Sequence, residues 1–210
     1  MTHVQFGCGH EAHPGWLNFD SSPTITLERI PILNRLYSKN AVRFAPYVRR
    51  GDIVKGLPLP PASVKAVYCS HTLEHLALDE FRIALRNTRE LLVPGGTFRF
   101  VLPDLEHLAR DYLANPGPTA AHRFLEDSML GVAARPRGLV EFLKRWIGGS
   151  KHLWMWDHKA MAHELAAAGF VEIRRAAFGD AADPKFNEVE NVGRWNHCLG
   201  MECRRPARTP

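Results

Sequence analysis

The sequence predicts an α/β protein built on a doubly wound, mostly parallel sheet. Three observations carry that expectation. Short apolar, β-branched runs alternate along the chain with segments of helical periodicity, the pattern of a sheet covered on both faces. The runs are punctuated by glycine, proline or a terminal carboxylate. The 210 residues, 45% hydrophobic and 23% charged, suit one domain around one core.

His3 to Phe6 reads as a buried strand stopped by Gly7-Cys8-Gly9. Trp16 to Asp20 is a second strand ending in a carboxylate, after a loop too short for a full helix. Residues 23–41 are apolar but irregular, and Pro31 must start or break any helix there. Tyr47 to Asp52 is a weak third strand. The prolines of 56–61 impose a loop, because each removes a ladder donor. Val64 to Cys69 is a central strand. Leu78, Phe81, Leu85, Thr88 and Leu92 recur at helical spacing, with Asp79 and Glu80 favourably placed at the helix start. Pro94-Gly95-Gly96 is expected to stop that helix. Thr97 to Leu102 is a fifth strand, ended by Pro103.

Residues 104–114 and 119–147 read as mostly helical, broken at 115–118 and 135–136. Asp157 is a helix cap, with Gly169 as the stop at the other end. Val171 to Phe178 and Trp195 to Cys203 complete seven strands. Ligands in such sheets sit at the carboxyl ends of the strands, so the residues just past those ends are the candidates for chemistry.

The formal charge of +5 suits an anionic ligand and would also suit nucleic acid. No run approaches the ~20 apolar residues of a membrane span, and no secretory signal is evident. The four cysteines, Cys8, Cys69, Cys198 and Cys203, lack the paired spacing of a zinc site, so no metal is expected. They read as reduced thiols of a cytoplasmic protein.

Two glycines after strand one let a ligand approach the backbone, and Asp20 at the next strand end can accept both hydroxyls of a ribose. Further along come GDIVKGLPLP (51–60), VYCSHTLEHL (67–76) and ELLVPGGTFRFVLPD (90–104). Together with GCG (7–9) and NFD (18–20), these resemble the successive motifs of class I S-adenosylmethionine-dependent methyltransferases, in that family's order. HLWMWD (152–157) and AHELAAAGF (162–170) resemble a small branch of methyltransferases associated with polysaccharide biosynthesis.

The resemblance implies a seven-stranded Rossmann-like methyltransferase sheet with a helical insertion after strand five, and S-adenosyl-L-methionine as cofactor. It implies that Phe6, Gly7, Cys8 and Gly9 line the amino acid part of the cofactor. Asp20 would take the ribose, Asp52 and Ile53 the adenine, and Ser70 and His71 would lie beside the methyl group. A hydroxyl acceptor must also lose a proton, for which histidine suits neutral pH. His71 is the first candidate base, followed by His75 and His152. Residues 118–156 are expected to form a helical cover on the acceptor side. Their arginines, Arg123, Arg135 and Arg137 among them, would meet an anionic group, and Trp146, Trp154 and Trp156 a ring. The favoured acceptor is therefore a small molecule, anionic or sugar-like. Two alternatives stand beside it: a binding module without turnover, and RNA methylation, which the sequence after strand four does not favour.

Overall fold

The computed structural model describes residues 2–30, 43–133 and 151–207. Seven strands form one sheet: β1 (Thr2–Phe6), β2 (Leu17–Asp20), β3 (Arg49–Arg50), β4 (Val64–Ser70), β5 (Leu92–Pro103), β6 (Val171–Ala176) and β7 (Cys198–Arg204). Their order is β3-β2-β1-β4-β5-β7-β6. All neighbours are parallel except where β7 runs antiparallel between β5 and β6. This is a doubly wound sheet, with its order reversing at β1. Five helices accompany it among the described residues: α1 (Thr24–Arg29), α2 (Leu78–Leu91), α3 (Leu105–Ala114), α4 (Ala120–Asp127) and α5 (His158–Ala167).

The period-2 pattern of the central strands sorts the two faces. On one, Val4, Phe6, Val67, Cys69, Phe98 and Phe100 are sealed beneath Phe81 and Leu85 of α2 and Met161 and Leu165 of α5. At ~25 cal/mol per Å² of apolar surface, burying each large side chain stabilises by ~1.5–3 kcal/mol before entropy is counted. On the other face Ala66, Tyr68 and Val101 lie beneath Trp16, Phe186, Val189 and Trp195. Apart from Trp16, that cover comes from the 177–197 segment and its short 3-10 helices at Pro184–Glu188 and Val192–Arg194.

Arg99 points into this second layer and is fully buried. Its guanidinium bonds Glu190, Asp180 and Glu202 and lies 4.8 Å from the Trp195 ring centroid. The ions are tolerated because the cation is surrounded by carboxylates, whereas an unpaired buried charge would be costly.

The expected cap of α5 is present: the Asp157 carboxylate accepts from the Ala160 N–H at 2.7 Å, and Gly169 takes φ +83° at the far end. The first crossover, residues 7–16, holds no helix, in keeping with a loop too short for a full one; Asn18 donates to the carbonyls of His13 and Trp16. Two expectations need correction. Pro94-Gly95-Gly96 does not end α2, because the chain is already extended at Leu92. It forms an irregularity inside β5, where the pairing with β4 shifts register. Of the helical cover expected over 118–156, the described residues hold only α4 as helix; 134–150, with Arg135, Arg137 and Trp146, lie outside them, as do 31–41 of the 23–41 insertion. Among the described residues no helix is long and apolar enough to cross a membrane.

Candidate active site

The carboxyl ends of β1, β2 and β4 meet where the strand order reverses. Gly7 and Gly9 both take positive φ, +59° and +52°, but for different reasons. A Cβ on Gly7 would lie 2.3 Å from the Thr72 hydroxyl oxygen, so Gly7 makes room for the turn after β4. A Cβ on Gly9 would meet nothing within 4 Å among the described residues, so none of them fills the space at that position. The Asp20 carboxylate accepts from the Gly9 N–H at 2.9 Å and the Ser22 N–H at 2.8 Å. It therefore ties the glycine loop to the end of β2 and stays partly exposed. Asp52 accepts from the Val54 N–H at 2.9 Å and shapes the turn after β3. Ile53 packs into the main core, and its carbonyl accepts from Asn87 at 2.7 Å.

Two residues of the expected cofactor set have side chains buried in packing. Phe6 is 1% exposed and stacks on Phe98, because alternation along β1 turns it into the core. Cys8 is buried with Ile25 and Val48, and burial, followed by the Asp20 charge, raises its thiol to about 12. Strands β1 and β4 are neighbours; Cys69 belongs to the main core, apart from the Cys8 cluster.

Past β4 the chain turns sharply at His71, φ +49°, into a 3-10 turn, Leu73–His75. His71 Nε2 donates to the Arg194 carbonyl at 2.9 Å. Its Nδ1 therefore carries the lone pair, 3.5 Å from Glu74 Oε1. Burial is the main cause that lowers the His71 pKa. His71 therefore keeps an unprotonated Nδ1, but that nitrogen faces the fully buried Glu74 carboxylate. His75 Nδ1 donates to the Lys151 carbonyl at 3.0 Å, and His152 Nδ1 to the Ser128 carbonyl at 2.8 Å. The Glu74 carbonyl accepts from the Leu153 and Trp154 N–H groups at 2.7 and 3.2 Å. Residues 151–156 thus strap over the 73–75 turn, on the expected side of the sheet. The sequence pattern does not single out Glu74, which is fully buried, with neither carboxylate oxygen hydrogen-bonded among the described residues. Burial raises its pKa to about 7.

Arg194 was also not foreseen. Its Nε donates to the Ser70 hydroxyl at 2.9 Å, and it pairs with Glu11 at 3.3 Å. It sits 124 residues from Ser70 in sequence, and no local pattern announces it. A cavity of about 300 Å³ lined by Lys65, Thr97, Asp183 and Arg204 opens at the opposite ends of the strands, away from these loops.

The family model for a methyltransferase domain matches residues 4–100. Residues 4–100 carry a methyltransferase domain. That stretch contains the glycine loop, Asp20, Asp52 and the turn after β4, and the cofactor of the domain is S-adenosylmethionine. No curated protein matches the chain. Among solved structures, a chain of the complex between the Haloferax volcanii Trm112 methyltransferase activator and a methyltransferase is 18% identical. The match covers 98% of this chain and 82% of that one, with a TM-score of 0.52. A S-adenosylmethionine-dependent methyltransferase of Thermotoga maritima, described as a possible histamine N-methyltransferase, is 16% identical over 97% of this chain and 82% of that one, TM-score 0.53. PigF with S-adenosylhomocysteine is 15% identical over 97% and 50%, TM-score 0.51. At these identities the likeness is one of fold, and the methyltransferase has the Rossmann-like sheet of that class.

Proposed function

We propose that this methyltransferase binds S-adenosylmethionine across the ends of β1, β2 and β3 and methylates a hydroxyl of a small, sugar-like acceptor admitted beside the 73–75 turn. The observation that carries the cofactor half is the space in front of Gly9 that no described residue fills, beside a carboxylate that its own N–H holds in place. A ligand can approach the backbone there without displacing a side chain, and Asp20 keeps lone pairs for two hydroxyls. The Asp52 turn and Ile53 supply the adenine side. Ser70, fixed by Arg194, borders the reacting end.

S-adenosylmethionine supplies a methyl group already activated on a sulfonium. What remains for the chain is to hold the acceptor in line and exclude water. The strap contributes Trp154, 42% exposed, whose indole offers a flat apolar face to a sugar ring. The positive formal charge of the whole chain favours an acceptor bearing phosphate or carboxylate.

The test is a panel of sugars, sugar phosphates, nucleotide-linked sugars, small phenols, amines and RNA oligonucleotides, incubated with methyl-labelled cofactor and read by mass spectrometry. Label on a sugar hydroxyl supports the reading. Label on an amine or on RNA replaces the acceptor class. Cofactor binding without turnover on any member would make the chain a binding module.

A further inference from the structure

We infer that Glu74, His75 and His152 form a binding site for a divalent transition-metal ion of the zinc type. One ligand atom from each lies within 4.8 Å of the others, in the only such group among the described residues. Glu74 Oε1 and His152 Nε2 are 3.9 Å apart. Ligands ~2.1 Å from a shared ion in tetrahedral array stand ~3.4 Å apart, so small side-chain rotations close the set.

The hydrogen bonds around the cluster prepare it for an ion. His75 and His152 each give their Nδ1–H to a backbone carbonyl, of Lys151 and Ser128. That fixes the tautomer and leaves Nε2 unprotonated on both rings, the arrangement metal-ligating histidines characteristically adopt. The rings stand edge to face with centroids 5.0 Å apart. Between them and His71 lies the Glu74 carboxylate, fully buried, with neither oxygen hydrogen-bonded among the described residues. A buried carboxylate without a partner is unfavourable, and here its oxygens face lone pairs instead of donors. The Nδ1 of His71, 3.5 Å from Glu74 Oε1, is also an acceptor because its Nε2–H is committed to Arg194. A cation at the carboxylate resolves all of these contacts together. Two imidazoles and a carboxylate are a ligand set of catalytic zinc and non-haem iron sites.

Such a set leaves a coordination position open. The partly exposed His75 marks the side from which it can be reached, under the strap where the acceptor is placed. An ion there would lower the pKa of a coordinated hydroxyl. That last step rests on the acceptor reading; the metal site does not.

The purified chain is stripped with chelator, loaded with Zn²⁺ or Co²⁺, dialysed and analysed for bound metal. One ion per chain is expected, with Co²⁺ giving the intense visible bands of a four- or five-coordinate nitrogen–oxygen site. Glu74→Gln and His152→Ala should weaken binding by more than the ~10–100-fold that changes in supporting residues cost, while S-adenosylhomocysteine affinity persists. No retained ion in the wild type, a hexaaqua-like Co²⁺ spectrum, or equal retention by folded variants would overturn the inference. If the variants do not fold, the wild-type stoichiometry and spectrum decide. An acceptor other than a sugar, found with the metal in place, would remove the acceptor reading alone.

Discussion

Asp20→Asn separates loop anchoring from cofactor binding. In the native protein one carboxylate oxygen accepts the Gly9 N–H at 2.9 Å and the other the Ser22 N–H at 2.8 Å. The asparagine amide keeps the size and one acceptor oxygen, but its NH₂ group then faces the other N–H, donor against donor. Hydrogen bonds to a charged group contribute ~1.5–3 kcal/mol. Because Asp20 is partly exposed, the lower end applies, and the variant should lose ~1.5 kcal/mol of stability in urea unfolding. If the same carboxylate also takes the ribose hydroxyls, cofactor affinity should fall separately by a similar free energy, ~10–100-fold in Kd. The assay is calorimetric titration with S-adenosylhomocysteine at a temperature where both proteins are fully folded. A Kd within about twofold of wild type, well short of the tenfold that ~1.4 kcal/mol represents, alongside reduced stability, would refute the ribose assignment. Asp20 would then serve the loop only.

The two loop glycines should respond differently: Gly7→Ala meets Thr72 as well as left-handed strain and should cost ~2–4 kcal/mol, against ~1–2 for Gly9→Ala, compared by urea midpoints. Arg99→Met leaves three carboxylates around an apolar chain and should cost ~3–5 kcal/mol, seen as a lower Tm with unchanged S-adenosylhomocysteine affinity in the folded fraction. Burial alone would raise Asp180, but Arg174, the Ala177 N–H and Arg99 hold it down at about 2; Asp183, near Lys65 and His3, is likewise depressed despite burial. Since folded values lie below unfolded ones, their contribution is complete above pH ~4 and is lost as pH falls toward and through those folded values, so thermal melts from pH 5 to 2 should show a steepening fall, reduced in Asp180→Asn.

The strands were legible because their signal is local. The apolar, β-branched run from Val64 to Cys69, the stop at Gly7, and the cap-and-stop pair Asp157 and Gly169 each depend on neighbours a few residues away. The same locality made Gly7, Gly9, Asp20 and Asp52 visible as strand-end residues. The burial of the Phe6 side chain was not legible, because a motif names a segment, whereas the pleat decides which of its side chains enter the core. Gly7 answers to Thr72, 65 residues away, and so its glycine has a packing reason that no turn rule contains.

Only the folded chain could decide the cluster after β4. His71 and Glu74 come from one turn, but the bond that engages His71 arrives from Arg194, and the second imidazole arrives on a strap anchored by Ser128 and Lys151. Sequence periodicity reports which face of an element is apolar. Cysteine spacing was the only metal signal it offered, because ligands within one motif repeat at short intervals. Glu74, His75 and His152 become a set through a crossover of more than seventy residues, and the partners of a buried polar group are determined by what the tertiary packing leaves beside it.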